Sequence, residues 1–303
     1  MIIRHSERLQ RRLPAVFFGA CAALLIVLSS PAQAELILGA EMRLTAEDSI
    51  VGLLAGSGDS NGTSGGAALA ASSKRFGGGM GSGGSGGAGN FTGGGSQSPG
   101  DLSVTAAMEA GGSTEMGSLS FFTKGFAERT NYQKFSEYDS SIAGVAAGMT
   151  ARLSDLLSMR ISGIGKVRRY DNDPDRDGTG YEGTASLTQL VTNDLWLREA
   201  AEYETYRAAY QAFSYRGTTL RFGMGYDLTD NLLVTAGYRF QAQHYQDIAA
   251  TALRTRTASI GPDYAFSDRW SAGLFYERET TVAGTSDVIT RNNILSLSIR
   301  WYY

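Results

Sequence analysis

The densest set of possible metal donors in this 303-residue chain is the run Asp171-Asn172-Asp173-Pro174-Asp175-Arg176-Asp177-Gly178. Asp173, Asp175 and Asp177 followed by glycine match the start of a D-x-D-x-D-G calcium loop. In such a loop alternate carboxylates converge on one hard cation and glycine permits the sharp turn. The closing ligand should be a glutamate at the twelfth position. Counting from Asp173 puts Thr184 there, with Glu182 two places early; counting from Asp171 seats Glu182 correctly but puts Arg176 where glycine belongs. An EF-hand is therefore not expected. The reading is a surface calcium turn using Asp173, Asp175, Asp177 and Glu182, against a solvated acidic loop that holds nothing, and no other cofactor is expected.

A second group is defined by alternation. Arg152, Arg160, Lys166, Arg221, Arg239 and Arg300 share the polar face of their segments with Asp227, Asp263 and Glu277. On the inside of a barrel these charges line a pore, where an arginine track attracts anionic solutes, or they pair and fill the space. Hydrolytic chemistry has little support. Beyond the first 34 residues the one histidine is His244, beside Tyr245 and Asp247, with no serine motif near it. The glycine-rich tract contains no G-x-x-x-x-G-K-[ST] phosphate loop. The one cysteine, Cys21, falls in the leader described below, which removes thiolate chemistry and disulfides from the remainder. With a net charge of −3, nucleic acid is not an expected partner.

The elements that must position these groups are strands. Leu220, Phe222, Met224, Tyr226 and Leu228 alternate with Thr219, Arg221, Gly223, Gly225 and Asp227, and the next segment repeats the pattern from Leu232 to Gln241. Turn chemistry recurs at Ser154-Asp155-Leu156-Leu157, Asn193-Asp194-Leu195-Trp196, Thr229-Asp230-Asn231-Leu232 and Ser267-Asp268-Arg269-Trp270, with aspartates 39, 36 and 38 residues apart. Each interval accommodates two strands, one tight turn and one longer loop, the unit of an up-and-down barrel. Residues 195–213 fit least well, because their Ala and Glu content favours helix and Glu199 falls on the apolar face. Counting backwards gives twelve strands, or fewer, down to ten, if the first 100 residues stand apart. Their bounds are near 36–44, 101–111, 117–129, 139–152, 157–169, 181–192, 195–208, 215–228, 231–245, 254–266, 270–281 and 290–303.

The chain closes on Leu295, Leu297, Ile299, Trp301 and Tyr303, an apolar stripe of period two that ends on an aromatic. This stripe resembles the terminal strand of bacterial outer-membrane β-barrel proteins, porin-like barrels among them. The resemblance implies that the five residues are the signal read by the barrel-assembly machinery, and that the tight turns face the periplasm. The general texture is also similar to porin-like barrels associated with exopolysaccharide systems. The N-terminus supports export: Arg4, Arg8, Arg11 and Arg12 precede an apolar run to Leu28, then Ala32-Gln33-Ala34 as a cleavage site.

The expected organisation is a signal peptide at 1–34, a first strand at 35–44, a glycine-rich flexible tract at 45–100 and the barrel proper at 101–303. The tract holds 19 of the 39 glycines and cannot bury enough apolar surface to offset its ordering entropy. It is read as a first external loop or plug, with a periplasmic tail as the alternative. The fold class is thus all-β, a transmembrane antiparallel up-and-down barrel in the bacterial cell outer membrane, with membrane lipids as its surroundings. The expected function is a narrow passive channel for small or anionic solutes, linked by the second resemblance to polysaccharide export. The alternatives are a closed structural or adhesive barrel displaying loops and, behind it, an outer-membrane hydrolase. The sequence leaves the solute and the oligomeric state open.

Overall fold

A computed structural model describes residues 34–48, 100–246, 252–283 and 289–303. The signal-peptide reading, most of the glycine-rich tract and Asp247 lie outside the described residues. The strands are β1 (Ala34–Glu47), β2 (Asp101–Met116), β3 (Leu119–Tyr132), β4 (Ser140–Ser154), β5 (Leu157–Tyr170), β6 (Gly178–Leu190), β7 (Leu195–Ala208), β8 (Tyr215–Thr229), β9 (Leu232–Tyr245), β10 (Ala252–Ala265), β11 (Trp270–Ala283) and β12 (Ile289–Tyr302). Every strand pairs antiparallel with its neighbours in sequence, and β1 closes on β12. Met42 stands opposite Ile299 and Leu44 opposite Leu297 at that seam, so the apolar stripe of the C-terminal strand meets that of the first strand in register. Closure satisfies the last unpaired edges, the condition for a sheet to sit in hydrocarbon.

Alternation decides which side chains meet lipid. Leu220, Phe222, Met224 and Tyr226 of β8, Leu274 and Tyr276 of β11, and Leu295, Leu297 and Ile299 of β12 are exposed on the outer skin. The intervening residues face inward and, Phe275 apart, are small, hydroxylic or charged. At the turn side Tyr226, Tyr264, Phe266, Trp270 and Tyr303 are exposed, and Trp270 is register-paired with Trp301, forming an aromatic girdle. Strand β7 forms despite its helical composition: Trp196, Glu202, Glu204 and Tyr206 turn inward while Leu197, Glu199 and Tyr203 turn outward. Tertiary pairing with β6 and β8 overrides local propensity. Glu199 is the one strand carboxylate on the outer skin among the described residues.

Within the recurring turns a hydroxyl side chain makes the closing bond. Thr192 Oγ1 accepts the Leu195 N–H at 3.0 Å, Thr229 Oγ1 the Leu232 N–H at 3.1 Å and Ser267 Oγ the Trp270 N–H at 3.2 Å. A hydroxyl, not the aspartate, closes each turn. The first turn is also displaced from the expected position. Gly111 and Gly112 lie inside β2, and the chain reverses at Gly117, whose φ of +64° suits glycine. A Cβ at Gly111 would stand 2.2 Å from the Thr123 carbonyl oxygen, so that glycine serves close strand approach rather than a turn.

Candidate functional site

The inner wall pairs most of its charges. Lys166 Nζ lies 2.9 Å from Glu204 and 3.5 Å from Glu182, Arg221 lies 3.0 Å from Glu202, and Lys124 lies 2.5 Å from Glu109. Arg239 donates to Thr257 Oγ1 at 3.1 Å and faces Glu279 at 3.7 Å, and Arg300 is paired with Asp263. Arg43 and Glu41 pair within β1 at 2.6 Å. Arg160 lies over the Phe122 ring, 4.1 Å from its centre. Glu277 is buried in the same wall. Asp227 is half-buried beside a strand irregularity near a turn, and Arg152 is exposed at that rim. The sequence reading gathered the arginines but missed Glu41, Glu109, Glu202, Glu204 and Glu279, which share their faces, and assigned Glu182 to calcium instead. The alternation of β7 would have shown two of them, had its helical composition not obscured it.

Large inward rings lie along the wall. Trp196 is register-paired with Gly225, where a Cβ would stand 2.4 Å from the indole, and Phe126 is paired with Gly144, where a Cβ would stand 2.6 Å from the ring. A glycine opposite an aromatic thus makes a recess that takes the ring flat against the sheet. Trp196 also touches Leu233 and Phe275, binding three strands across the lumen side.

The outer rim over β3 to β8 carries three loops of one design. Each has a single short 3-10 turn: Ser136–Tyr138, Pro174–Arg176 and Gln211–Phe213. After each turn a side-chain oxygen reaches back to the end of the preceding strand. Tyr132 N–H donates to Asp139 Oδ1 at 2.7 Å, Tyr170 N–H to Asp177 Oδ1 at 2.7 Å and Ala208 N–H to Ser214 Oγ at 3.0 Å. Neighbouring loops are then sewn together: Asp171 N–H to the Asp139 carbonyl at 3.0 Å, Ala209 N–H to Asp177 at 2.7 Å and Tyr210 N–H to Asp175 at 2.8 Å. Arg176 sits buried at the hub, 5.0 Å from the Tyr138 ring centre and 4.9 Å from that of Phe213, with Asp173 at 2.8 Å. The signal for this was available in the sequence, since Tyr132 and Asp139 recur about 38 residues later as Tyr170 and Asp177.

These contacts give the residues of the calcium reading other partners. Asp173 binds Arg176 and Asp177 accepts a backbone N–H, while Glu182 points into the lumen at Lys166. Among the described residues no group of three His, Cys, Asp or Glu side chains could hold a metal. Burial raises the Asp177 carboxyl above its usual range despite the Tyr170 N–H, whereas hydrogen bonds from Arg129 hold Asp171 below it. His244 is exposed on the outer skin opposite Arg216, and Tyr245 turns inward, so the two do not form one site.

Comparison with curated proteins finds no match. Among solved structures the chain is similar to an outer membrane channel from Pseudomonas putida F1, at 9% identity and a TM-score of 0.59, covering 91% of this chain and 97% of that one. It also matches the KdgM porin at 12% identity and a TM-score of 0.44, covering 67% of this chain and 93% of that one. The first likeness shows the fold. Residues 101–262 match the surface lipoprotein assembly modifier family, a segment that runs from β2 into β10. With more than half of its length matched and its apolar skin turned outward, the chain is a bacterial outer-membrane barrel and belongs to the surface lipoprotein assembly modifier family.

Proposed function

We propose that the protein is a passive, narrow conduit across the outer membrane, without enzymatic activity, that passes small polar solutes. The observation that carries this reading is the lumen wall, where charges pair along the sheet and rings lie flat over glycines. Such a wall keeps its polar groups satisfied while holding its bulk away from the axis. The arginine track expected to favour anions is largely matched by carboxylates, so selectivity between ions of opposite sign should be weak.

Single-channel conductance of the full chain in planar bilayers tests this. Small, steady, weakly selective conductance is expected, and Gly225→Val should reduce it by driving the Trp196 ring into the lumen. The strain of such overpacking is about 1–3 kcal/mol. Absence of any conductance would favour a closed barrel that displays its loops.

A second reading follows from the family description: the barrel assists the placement of lipoproteins at the cell surface. Loss of a lipoprotein from the surface on deletion of the gene, with solute uptake unchanged, would support that reading over the first. The resemblance to barrels of exopolysaccharide systems adds extended glycans to the solutes worth trying. In either reading the stripe from Leu295 to Tyr303 is the proposed signal for the barrel-assembly machinery, and all five residues stand on the outer face of β12 or its end.

A further inference from the structure

The outer skin changes character abruptly on its way from the turns to the long loops. On β10 the outward series is Tyr264, Pro262, Ile260, Ala258 and then Arg256 and Arg254; on β11 it is Trp270, Ala272, Leu274, Tyr276 and then Arg278. On β12 it reaches Arg291 after Leu295 and Asn293. All four arginines are exposed. Eight residue steps separate Tyr264 from Arg256, which at about 3.4 Å per step and a tilt of about 40° is roughly 21 Å of height, the thickness of the apolar band. The arginines therefore stand at the interface opposite the aromatic girdle, on the long-loop side, which faces the cell exterior in such barrels.

Their mutual placement is fixed by register. Arg256 is paired with Thr280, and Thr280 with Arg291, while Arg278 is two residues from Thr280 on the same face. Diagonal neighbours of this kind are about 7–8 Å apart at their backbones, within reach of one another for long side chains. Arg254 follows two residues beyond Arg256 on the same face, and four guanidinium groups on one patch repel unless an anion joins them. No carboxylate lies on the outward faces of β8 to β12 among the described residues, and there none of the four arginines makes an ion pair. The carboxylate that does reach this face, Asp48, is taken up by Asn293 through its N–H at 2.7 Å and its Nδ2 at 2.5 Å.

We propose that Arg254, Arg256, Arg278 and Arg291 form a binding site for the phosphate groups of a phosphorylated glycolipid in the outer leaflet. Guanidinium groups match phosphate oxygens in bidentate pairs, and the apolar skin directly below accepts the acyl chains of the same molecule. The continuity of charge and hydrocarbon on three adjacent strands selects a lipid over a soluble anion.

The test uses the full chain purified in detergent, with a bis-phosphorylated lipid A and its dephosphorylated form as probes and native mass spectrometry as readout. The wild type is expected to retain the phosphorylated lipid at least about tenfold better, as befits charge-assisted bidentate contacts. The variant with all four arginines changed to Gln should lose that preference, and Arg278→Lys should keep most of it. A heat-modifiable gel shift confirms that each variant is a folded barrel, and Arg278→Gln alone, which removes the central charge, gives an intermediate preference if the quadruple variant does not fold. Equal retention of the two lipids, or an unchanged preference in the folded variants, would overturn the proposal. So would full displacement of the lipid by millimolar inorganic phosphate, which would make the site one for a free anion.

Discussion

In the wall from β3 to β8, basic side chains meet carboxylates across the strands, and the strand tips are joined by three loops of one design. The wall from β9 through β12 to β1 and β2 adds hydroxyl pairs to its ion pairs. There Thr255 and Thr281 are hydrogen-bonded at 3.0 Å and Thr45 and Ser296 at 3.2 Å. Its inward carboxylates, Glu41, Glu47, Asp101, Glu109, Asp263, Glu277 and Glu279, outnumber Arg43, Arg239 and Arg300. The contrast shows two ways to satisfy a polar wall in a narrow tube. Long charged pairs fix the relation between strands at a high cost if one partner is lost, whereas short hydroxyl pairs tolerate loss.

The sharpest way to break that contrast is Lys166→Met. It would leave Glu182 and Glu204, both nearly buried, without their shared cation, and should destabilise the barrel by about 3–5 kcal/mol in urea unfolding. Removing one member of a hydroxyl pair on the other wall, Thr45→Val, should cost much less, about 1 kcal/mol. Equal losses would erase the distinction.

Next in size is Arg176→Ala, which removes the hub of the loop array. The lost cation–π contacts and packing should amount to about 2–3 kcal/mol, read as new protease cleavage within residues 171–177. Thr255→Val should cost about 1 kcal/mol, the ordinary value for one neutral hydrogen bond, with conductance unaltered.

The smallest effect concerns pH at the loop array. The Asp171 carboxyl is held low by Arg129, so its link contributes above the ordinary carboxylate range and is lost as pH falls through its depressed value. Asp177 has the opposite sign: burial raises it, so its contribution is fullest when protonated and fades as pH rises through that raised value. Amide exchange at residues 170–178 between about pH 3 and 6 should show the two opposed trends, and Asp171→Asn should abolish the acid limb alone. An unchanged acid limb would remove Arg129 and Asp171 from the account.

Reading the strands from sequence succeeded where the two faces differ in kind. Leu220 to Leu228 and Leu295 to Trp301 must face hydrocarbon, because a one-residue slip would place Arg221 or Arg300 there. It failed after Gly111, where the second strand was expected to end but runs on to Met116. At the acidic run it did not show that Asp173 pairs with Arg176 and that Asp177 accepts a backbone N–H.

What the sequence by itself determined was the barrel and its inside and outside, since period-two alternation and turn chemistry are local properties. Only the tertiary structure decided which carboxylate meets which cation, that Glu182 leaves its loop for the lumen, and that four arginines from three strands gather on one patch of the skin. Those relations depend on register between strands far apart in the chain. Register is set by closure of the whole cylinder, which no short stretch of residues encodes.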